Sequence, residues 1–554
     1  MERTGRTTLS GRGMDDKATR AGRLGTGHGG LMILLSITIG ALASVLLVLP
    51  YRSFDLDRFF VPKELALHIA ALLSGTLALA ASDRLRLSRA DIALGAWIAL
   101  SIVSGVFATN HWLAVRAVAV TISGAVIFWS ARKVAGTGLD SALAGALGAT
   151  VVVGALTALA QAYGVKMEFA TLSRAPGGTF GNRNFMAHLA AAGVPLLLWC
   201  AVAARSWLTS IAGTLGLLAC AAALVLSRTR AAWLALMVWG IAALFAVLAG
   251  PPLFDSTRAR RRGWLAIGAT IAGIALALLV PNALDWKSDN PYLDSVKGVV
   301  NYREGSGQGR LKQYKNSVQL ALHAPVLGVG PGNWPVKYPM VAPADDPSLV
   351  EGTGMTANPW PSSDWFAALS ERGAIAAVCF GAFALLLAAG ATQTRLDPAR
   401  SAPERLAAIA GVSVLAITLL EGTFDAVLLL PAPALVVWAA VGALIPAGPT
   451  VRTIELGGSR KAAVLMLLIG ATAGASVMSA MKMQAMAAYT NGSIDRAVAL
   501  DPGSFRIRMR AAAGFIGKGQ CSQARVQALA ARKLFPESPA PKRILAQCGG
   551  VSEK

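Results

Sequence analysis

The sequence predicts an all-α integral membrane protein, with about twelve to thirteen transmembrane helices, one large outward loop and a small α-helical C-terminal tail. Three observations predict it. Of 554 residues, 55% are hydrophobic and only 14% are charged, against about 25% charged residues in soluble domains. Apolar runs of about 20 residues, the length a helix needs to cross a hydrocarbon core of about 30 Å, recur along the chain. These runs lack the strand-period alternation of a membrane β-barrel.

Taken in order, residues 1–30 are rich in Gly and Arg without periodicity and predict a disordered basic cytoplasmic tail. Apolar segments then begin near Leu31, Leu65, Ile92, Ala114, Ala142, Phe185, Leu208, Ala231, Trp264, Ala374, Leu406, Ala426 and Ala462, and build a polytopic domain over residues 31–481. The first of them continues past Ala41-Leu42-Ala43 without a polar break, so it reads as a retained helix rather than a cleavable signal. A polar stretch, Pro281 to Arg372, interrupts the series and forms the large loop, residues 282–372. Residues 482–554 are soluble in character, with two expected helices, Ser504 to Gly517 and Cys521 to Phe535, joined at Gly517-Lys518-Gly519. Leu500-Asp501-Pro502 and Leu534-Phe535-Pro536 are spaced by about 34 residues, the tetratricopeptide period. Such repeats need about three copies to bury a core, so this tail must lean on the membrane domain or on a partner.

The net charge is +22. In a soluble protein that excess would point to nucleic acid. Here it sits in the N-terminal tail and in every second short loop, at Arg84/Arg86/Arg89, Arg132/Lys133, Arg205, Arg258/Arg260/Arg261/Arg262, Arg395/Arg400/Arg405 and Arg452/Arg460/Lys461. That alternation follows the positive-inside rule, with the N-terminus in the cytoplasm and the large loop and tail outward. Cys200, Cys220 and Cys379 fall in apolar segments, as packing residues do, whereas Cys521 and Cys548 lie in the outward tail. A disulfide between the last two and a pair of free thiols are both compatible with the sequence.

Candidate chemistry concentrates on the outward side. Ser227-Arg228-Thr229-Arg230 lies between two long apolar runs. An arginine at mid-membrane costs about 2.5–3.5 kcal/mol, so this pair belongs at the interface or in a protein-lined cavity. It reads either as a snorkelling pair or as an anion site. The loop Val165 to Asn184 adds Arg174 and Arg183 around Gly177-Gly178-Thr179-Phe180-Gly181-Asn182-Arg183-Asn184. From Arg310 to Ala324, Leu311, Tyr314, Val318 and Leu322 recur at helical spacing, with Lys312, Lys315, Gln319 and His323 on another face. This is an amphipathic basic helix suited to a membrane surface. After Pro325, the glycines 328, 330 and 332 permit a tight path whose amides can hold phosphate oxygens. The ligand that suits Arg174, Arg183, Arg228, Arg230, Arg310, Lys312 and Lys315 is an anionic lipid head group, because guanidinium forks match phosphate.

Other residues carry two readings each. His323 ends its helix, where a histidine can simply interact with terminal carbonyls. His111 and His188 lie near outward helix ends and read as structural. Trp334, Trp360 and Trp365 could stack on sugars or serve as an interfacial belt. Asp55 and Asp57 form an acid-x-acid pair that could hold a metal, although Phe59 to Lys63 reads as an ordinary helix entry. No HExxH, paired CxxC, P-loop or nucleophile elbow occurs, which argues against a protease, ATPase or hydrolase.

The order of these elements resembles the O-antigen ligase and polymerase superfamily of bacterial membrane glycosyltransferases. The resemblance rests on Gly177 to Asn184 before a helix, Ser227-Arg228 between helices, Gly309-Arg310 followed by Pro325-Val326-Leu327-Gly328-Val329-Gly330, and Asp364-Trp365-Phe366 with Leu369, Glu371 and Gly373. Each motif is short and their order is the more specific part. A tail with tetratricopeptide-like repeats also occurs in relatives. The resemblance implies an inner-membrane enzyme with a periplasmic active site and no cofactor or metal. It would move a glycan, with inversion, from a polyprenyl diphosphate carrier to a hydroxyl on lipid A core, a glycan or a protein. Arginines would hold the diphosphate, and membrane lipids and a periplasmic protein at the tail would be further partners, with no nucleic acid among them.

The chain departs from the pattern at one place. Where the family carries a loop histidine, this sequence has Ser362, and serine cannot act as a base near neutral pH. Asp364, Glu371 or His323 could take that role, the base could be dispensable, or activity could be lost. A polysaccharide polymerase is the nearest alternative. A non-catalytic scaffold or a transporter of the same pathway is the alternative from another class.

Overall fold

A computed structural model describes residues 12–166, 174–204, 206–249, 256–286, 288–300 and 305–549. It is an all-α membrane protein. The helices are α1 (Arg12–Leu46), α2 (Asp57–Ala80), α3 (Arg89–Val106), α4 (His111–Ala135), α5 (Asp140–Ala162), α6 (Arg183–Ala203), α7 (Trp207–Ser227), α8 (Arg230–Ala249) and α9 (Thr257–Leu279). The polar stretch holds α10 (Pro291–Val300), α11 (Gly305–His323) and α12 (Trp334–Lys337). Then follow α13 (Asp364–Leu396), α14 (Ala402–Phe424), α15 (Pro431–Leu444) and α16 (Gly458–Thr490), and the tail helices α17 (Ile494–Leu500), α18 (Phe505–Gly517), α19 (Cys521–Leu534) and α20 (Pro539–Gln547).

Among the described residues, eleven helices are long and apolar enough to cross a membrane, and α8 and α15 are shorter apolar helices. Together these are the thirteen segments expected from hydropathy. The first differs at its start: α1 already begins at Arg12, with its membrane-length part from His28 to Leu46, so a helix occupies much of the stretch expected to be disordered.

Burial sorts the helices by what they face. All fourteen residues of α15 are buried, as expected for a helix that is apolar all round and enclosed by others. Small residues let its neighbours close in. A Cβ on Gly442 would stand 2.3 Å from the Phe128 carbonyl oxygen, and one on Gly124 would stand 2.6 Å from the Trp438 indole nitrogen. This is the close backbone approach on which membrane helices rely, because lipid offers no hydrophobic drive between them. By contrast α9 and α16 expose most of their apolar side chains, Leu278, Leu279, Met466 and Leu467 among them, which suits lipid contact.

The two ends of the bundle differ in kind. At one end β1 (Arg84–Ser88) pairs antiparallel with β2 (Thr450–Glu455), a small ribbon the sequence reading did not foresee. Arg132 meets Asp91 at 2.6 Å at this end. The other end carries the polar stretch and the tail. The tail is docked rather than free. Lys482 pairs with Asp501 at 2.9 Å, Ser538 Oγ donates to the Thr353 carbonyl at 2.7 Å, and Phe505, Leu534 and Phe535 pack on Val336, Leu113 and Met355. Of the two supports the short tail could have had, the membrane domain therefore supplies one. The expected tail helices are α18, with Ser504 as its N-cap, and α19. Cys521 and Cys548 form a disulfide, while Cys200 and Cys220 are free and buried in the bundle.

Candidate functional site

Four of the expected arginines gather at the end of the bundle that carries the tail. The α7–α8 turn is only two residues long, so Arg228 takes a left-handed conformation (φ 53°), which no other non-glycine residue among those described adopts at positive φ. Such a conformation is uncommon for a long side chain and is held by its surroundings. Here Nε of Arg228 donates to Ser295 Oγ at 2.9 Å, and its guanidinium lies 4.7 Å over the Trp286 ring. Arg230 donates to the carbonyl of Gly298. Helix α10 and the residues before it thus brace both arginines. Arg183 opens α6, capped by Asn182, and its N–H donates to the Arg174 carbonyl at 3.0 Å. The charges of Arg228, Arg174 and Arg230 all act on Arg183.

Arg310, on α11, reaches the same place through carboxylates that the sequence reading passed over. Its Nη2 lies 3.5 Å from Asp425 Oδ2. The same oxygen accepts from Asn184 Nδ2 at 3.2 Å and lies 3.4 Å from His188 Nε2. His188 Nδ1 lies 3.0 Å from Glu421 Oε1. Thr229, between the two arginines of the α7–α8 turn, donates to Asn184 Oδ1 at 3.3 Å. A continuous chain therefore runs from Glu421 through His188 and Asp425 to Arg310, with Asn184 tying it to the turn. Burial alone would raise the Asp425 pKa, but the hydrogen bond and charge of His188 and the charge of Arg310 prevail and lower it to about 2. Asp425 is thus held as an anion that can orient Arg310. The sequence expectation of a structural His188 leaves out this link, and Glu421 and Asp425 carry no local signal beyond being acids at the end of an apolar run.

The glycine-rich turn does something other than expected. Its amides are already used. The N–H of Gly328 donates to Ala324, that of Val329 to Ser370 and that of Gly330 to Glu371, each to a carbonyl at 2.9 Å. The Trp334 N–H donates to Glu371 Oε1 at 3.3 Å. The reason lies in α13, whose helical path breaks at Gly373 (φ 83°, ψ 168°). The break frees carbonyls of the preceding turn, and buried carbonyls must find donors. The glycine turn supplies them, so it clasps a kinked helix instead of presenting a phosphate nest.

This also places the three candidate bases. Glu371 is buried, holds the Trp334 amide and lies 3.5 Å from the Arg372 guanidinium. Asp364 accepts the N–H groups of Val427 and Leu428 at 3.0 Å, which pins the α14–α15 loop where Asp425 sits. His323 is exposed, and its Nδ1 donates to the Gln319 carbonyl at 2.8 Å, a helix-end contact. Lys312 and Lys315 are exposed on α11. The inward face of α11 is mixed: Asn316 bonds Tyr338 and Asp346, Ser317 accepts from Trp334 Nε1 at 2.9 Å, and Leu320 is buried against Trp334 and Tyr338. Leu311, Val318 and Leu322 stay exposed, as a helix lying on a membrane surface requires. Ser362 is held through its backbone, its N–H donating to Gln313 Oε1 at 2.7 Å and its carbonyl accepting from Tyr314 Oη at 3.0 Å.

A cavity of about 700 Å³ lies beside the arginines, and Arg174, Asn182, Asp364 and Trp360 line it. Of the three tryptophans considered for sugar stacking, Trp360 lines this cavity. Trp334 is fully buried, and Trp365 Nε1 donates to the Leu419 carbonyl. Asp57, half of the acid-x-acid pair, is engaged at 3.1 Å by Arg116, which also holds Glu64 at 2.9 Å.

No curated protein matches the sequence. Residues 215–381 match the family model described as O-antigen ligase. That stretch, which holds Arg228, Arg230, Arg310 and the clasped turn, is similar to the O-antigen ligase family.

Proposed function

We propose that the protein is a glycosyltransferase of the bacterial inner membrane that moves a glycan from a polyprenyl diphosphate carrier to an acceptor hydroxyl, with inversion at the anomeric carbon. The observation that carries this reading is the convergence of Arg174, Arg183, Arg228 and Arg230 with Arg310 at one end of the bundle. Among the described residues, Asp425 pairs with Arg310, and the other four arginines add like charge beside it. Guanidinium groups brought together repel one another, so such a cluster favours an anion between them. A lipid-linked diphosphate supplies two phosphates at membrane depth, matched to the bidentate fork of arginine.

In the reaction the acceptor oxygen bonds to the anomeric carbon as the bond from that carbon to the phosphate oxygen breaks. The electron pair leaves on the diphosphate, where the arginines offset the developing charge. The hydroxyl proton passes to a carboxylate at the cavity edge, for which Asp364 is the candidate; Glu371 and His323 are positioned for structural contacts. The positive-inside pattern puts the arginines, the large loop and the tail on the periplasmic side.

The test is a reaction with purified full-length protein and a polyprenyl diphosphate-linked glycan. The expected outcome is one free polyprenyl diphosphate released for each glycan transferred, with the anomeric configuration inverted and no loss of rate in chelator. Intact donor, or release without a glycosylated acceptor, would overturn the reading.

A further inference from the structure

The cavity beside the arginines differs from the cluster in charge, and that difference assigns it. Its ionic groups are mostly paired within the protein: Arg116 with Asp57 and Glu64, Arg372 with Glu371, and Lys482 with Asp501. A wall of paired charges has many hydrogen-bonding groups and little net field. Aromatic faces, Trp97 and Trp360 among them, alternate with these groups. A neutral, hydroxyl-rich ring with apolar C–H faces suits both features, whereas a diphosphate suits neither.

The roof of the cavity is equally informative. Part of it comes from the tail, through Asp501, Ser504, Phe505 and Arg506, and part from the large loop, through Ala357 and Trp360. Arg506 is exposed and lies 5.7 Å over the Phe54 ring, so it can turn to a ligand without unpairing a buried charge.

We propose that this cavity is the site of the acceptor sugar and that the C-terminal tail builds one of its walls, so that tail residues help to choose the acceptor. The inference rests on the glycosyl-transfer reading for the word acceptor, but its test reads sugar binding directly. A photo-crosslinking residue, p-benzoylphenylalanine, is placed in the full-length protein in its native membrane at Ala357, at Arg506, or at Val526 on the outer face of α19, where 62% is exposed. Adducts are digested and weighed for attached hexose.

Sugar-bearing adducts from positions 357 and 506, with none from 526, are the expected result. Arg506→Ala then raises the acceptor concentration for half-maximal transfer about tenfold, the effect of one lost charged hydrogen bond, and leaves that for the donor unchanged. Sugar at 357 but not at 506 removes the tail from the site, and sugar at neither overturns the assignment. The reading beneath it fails separately. If sugar adducts form at 357 and 506 while Arg310→Ala transfers glycan at the native rate, the cavity remains a sugar site and the arginine mechanism falls.

Discussion

Asp425 decides how Arg310 is held. It offers one oxygen to Arg310, Asn184 and His188 together, and a charged acceptor holds a guanidinium more firmly than an amide can. Asp425→Asn should lower transfer about 10- to 100-fold, the range expected when a group that stabilises a transition state is displaced by about 1 Å, and Asp425→Glu should recover part of it. A steady-state rate at saturating donor checks this. Stability supplies a second readout with a definite sign. The pKa of Asp425 lies near 2 in the folded protein, below its ordinary 3.8. Its contribution is therefore complete above about pH 4 and is lost as pH falls toward 2. The gap in unfolding temperature between the native protein and Asp425→Asn should stay constant from pH 8 to about pH 4 and narrow below that.

Among elements, α13 and its clasp carry the clearest demand on sequence. Gly373 stands at φ 83°, and a Cβ there would lie 2.1 Å from the Val326 carbonyl oxygen. Gly373→Ala therefore combines a backbone penalty of about 1–3 kcal/mol with a contact that backbone must move to relieve. It should reduce the folded fraction recovered from membranes, measured by gel filtration in detergent, while Gly470→Ala on α16, where nothing lies within 4 Å, should not. The same element shows what a sequence can reveal. Gly328, Gly330 and Gly332 announce positive φ, and all three adopt it. Whether their amides face a ligand or a neighbouring helix depends on carbonyls of residues 370 and 371, far along the chain, and no local pattern records that. Helix α11 teaches a related lesson. Leu311, Val318 and Leu322, which in a soluble protein would mark the core, are outward, while Asn316 and Ser317 are inside beside Leu320. The thirteen apolar segments were legible because span length is set by the bilayer. The arginines were legible because a charge beside an apolar run is conspicuous. His188, Glu421 and Asp425 were not, because their partnership spans 233 positions and exists only once α6 and α14 pack.

For the whole molecule, the central feature is that the tail and the large loop form one body with the end of the bundle that holds the arginines. The Cys521–Cys548 disulfide closes a segment with a sequence separation of 27, and a loop of that length is worth about 3 to 4 kcal/mol on the chain-entropy account. The double variant Cys521→Ser, Cys548→Ser should loosen the tail by roughly that amount. Limited proteolysis should then cut after α18 under conditions where the membrane domain stays intact. If the tail also walls the acceptor cavity, the same variant should impair acceptor use before donor use.

All of this depends on the arginine cluster bearing the charge of a departing diphosphate. The most direct measurement is glycan transfer by purified, membrane-inserted Arg310→Ala compared with the native protein at equal amounts. A loss of about 100- to 1,000-fold, the usual cost of removing one preorganised donor to a developing anion, is the predicted result. Transfer at the native rate by a correctly inserted Arg310→Ala would contradict the account.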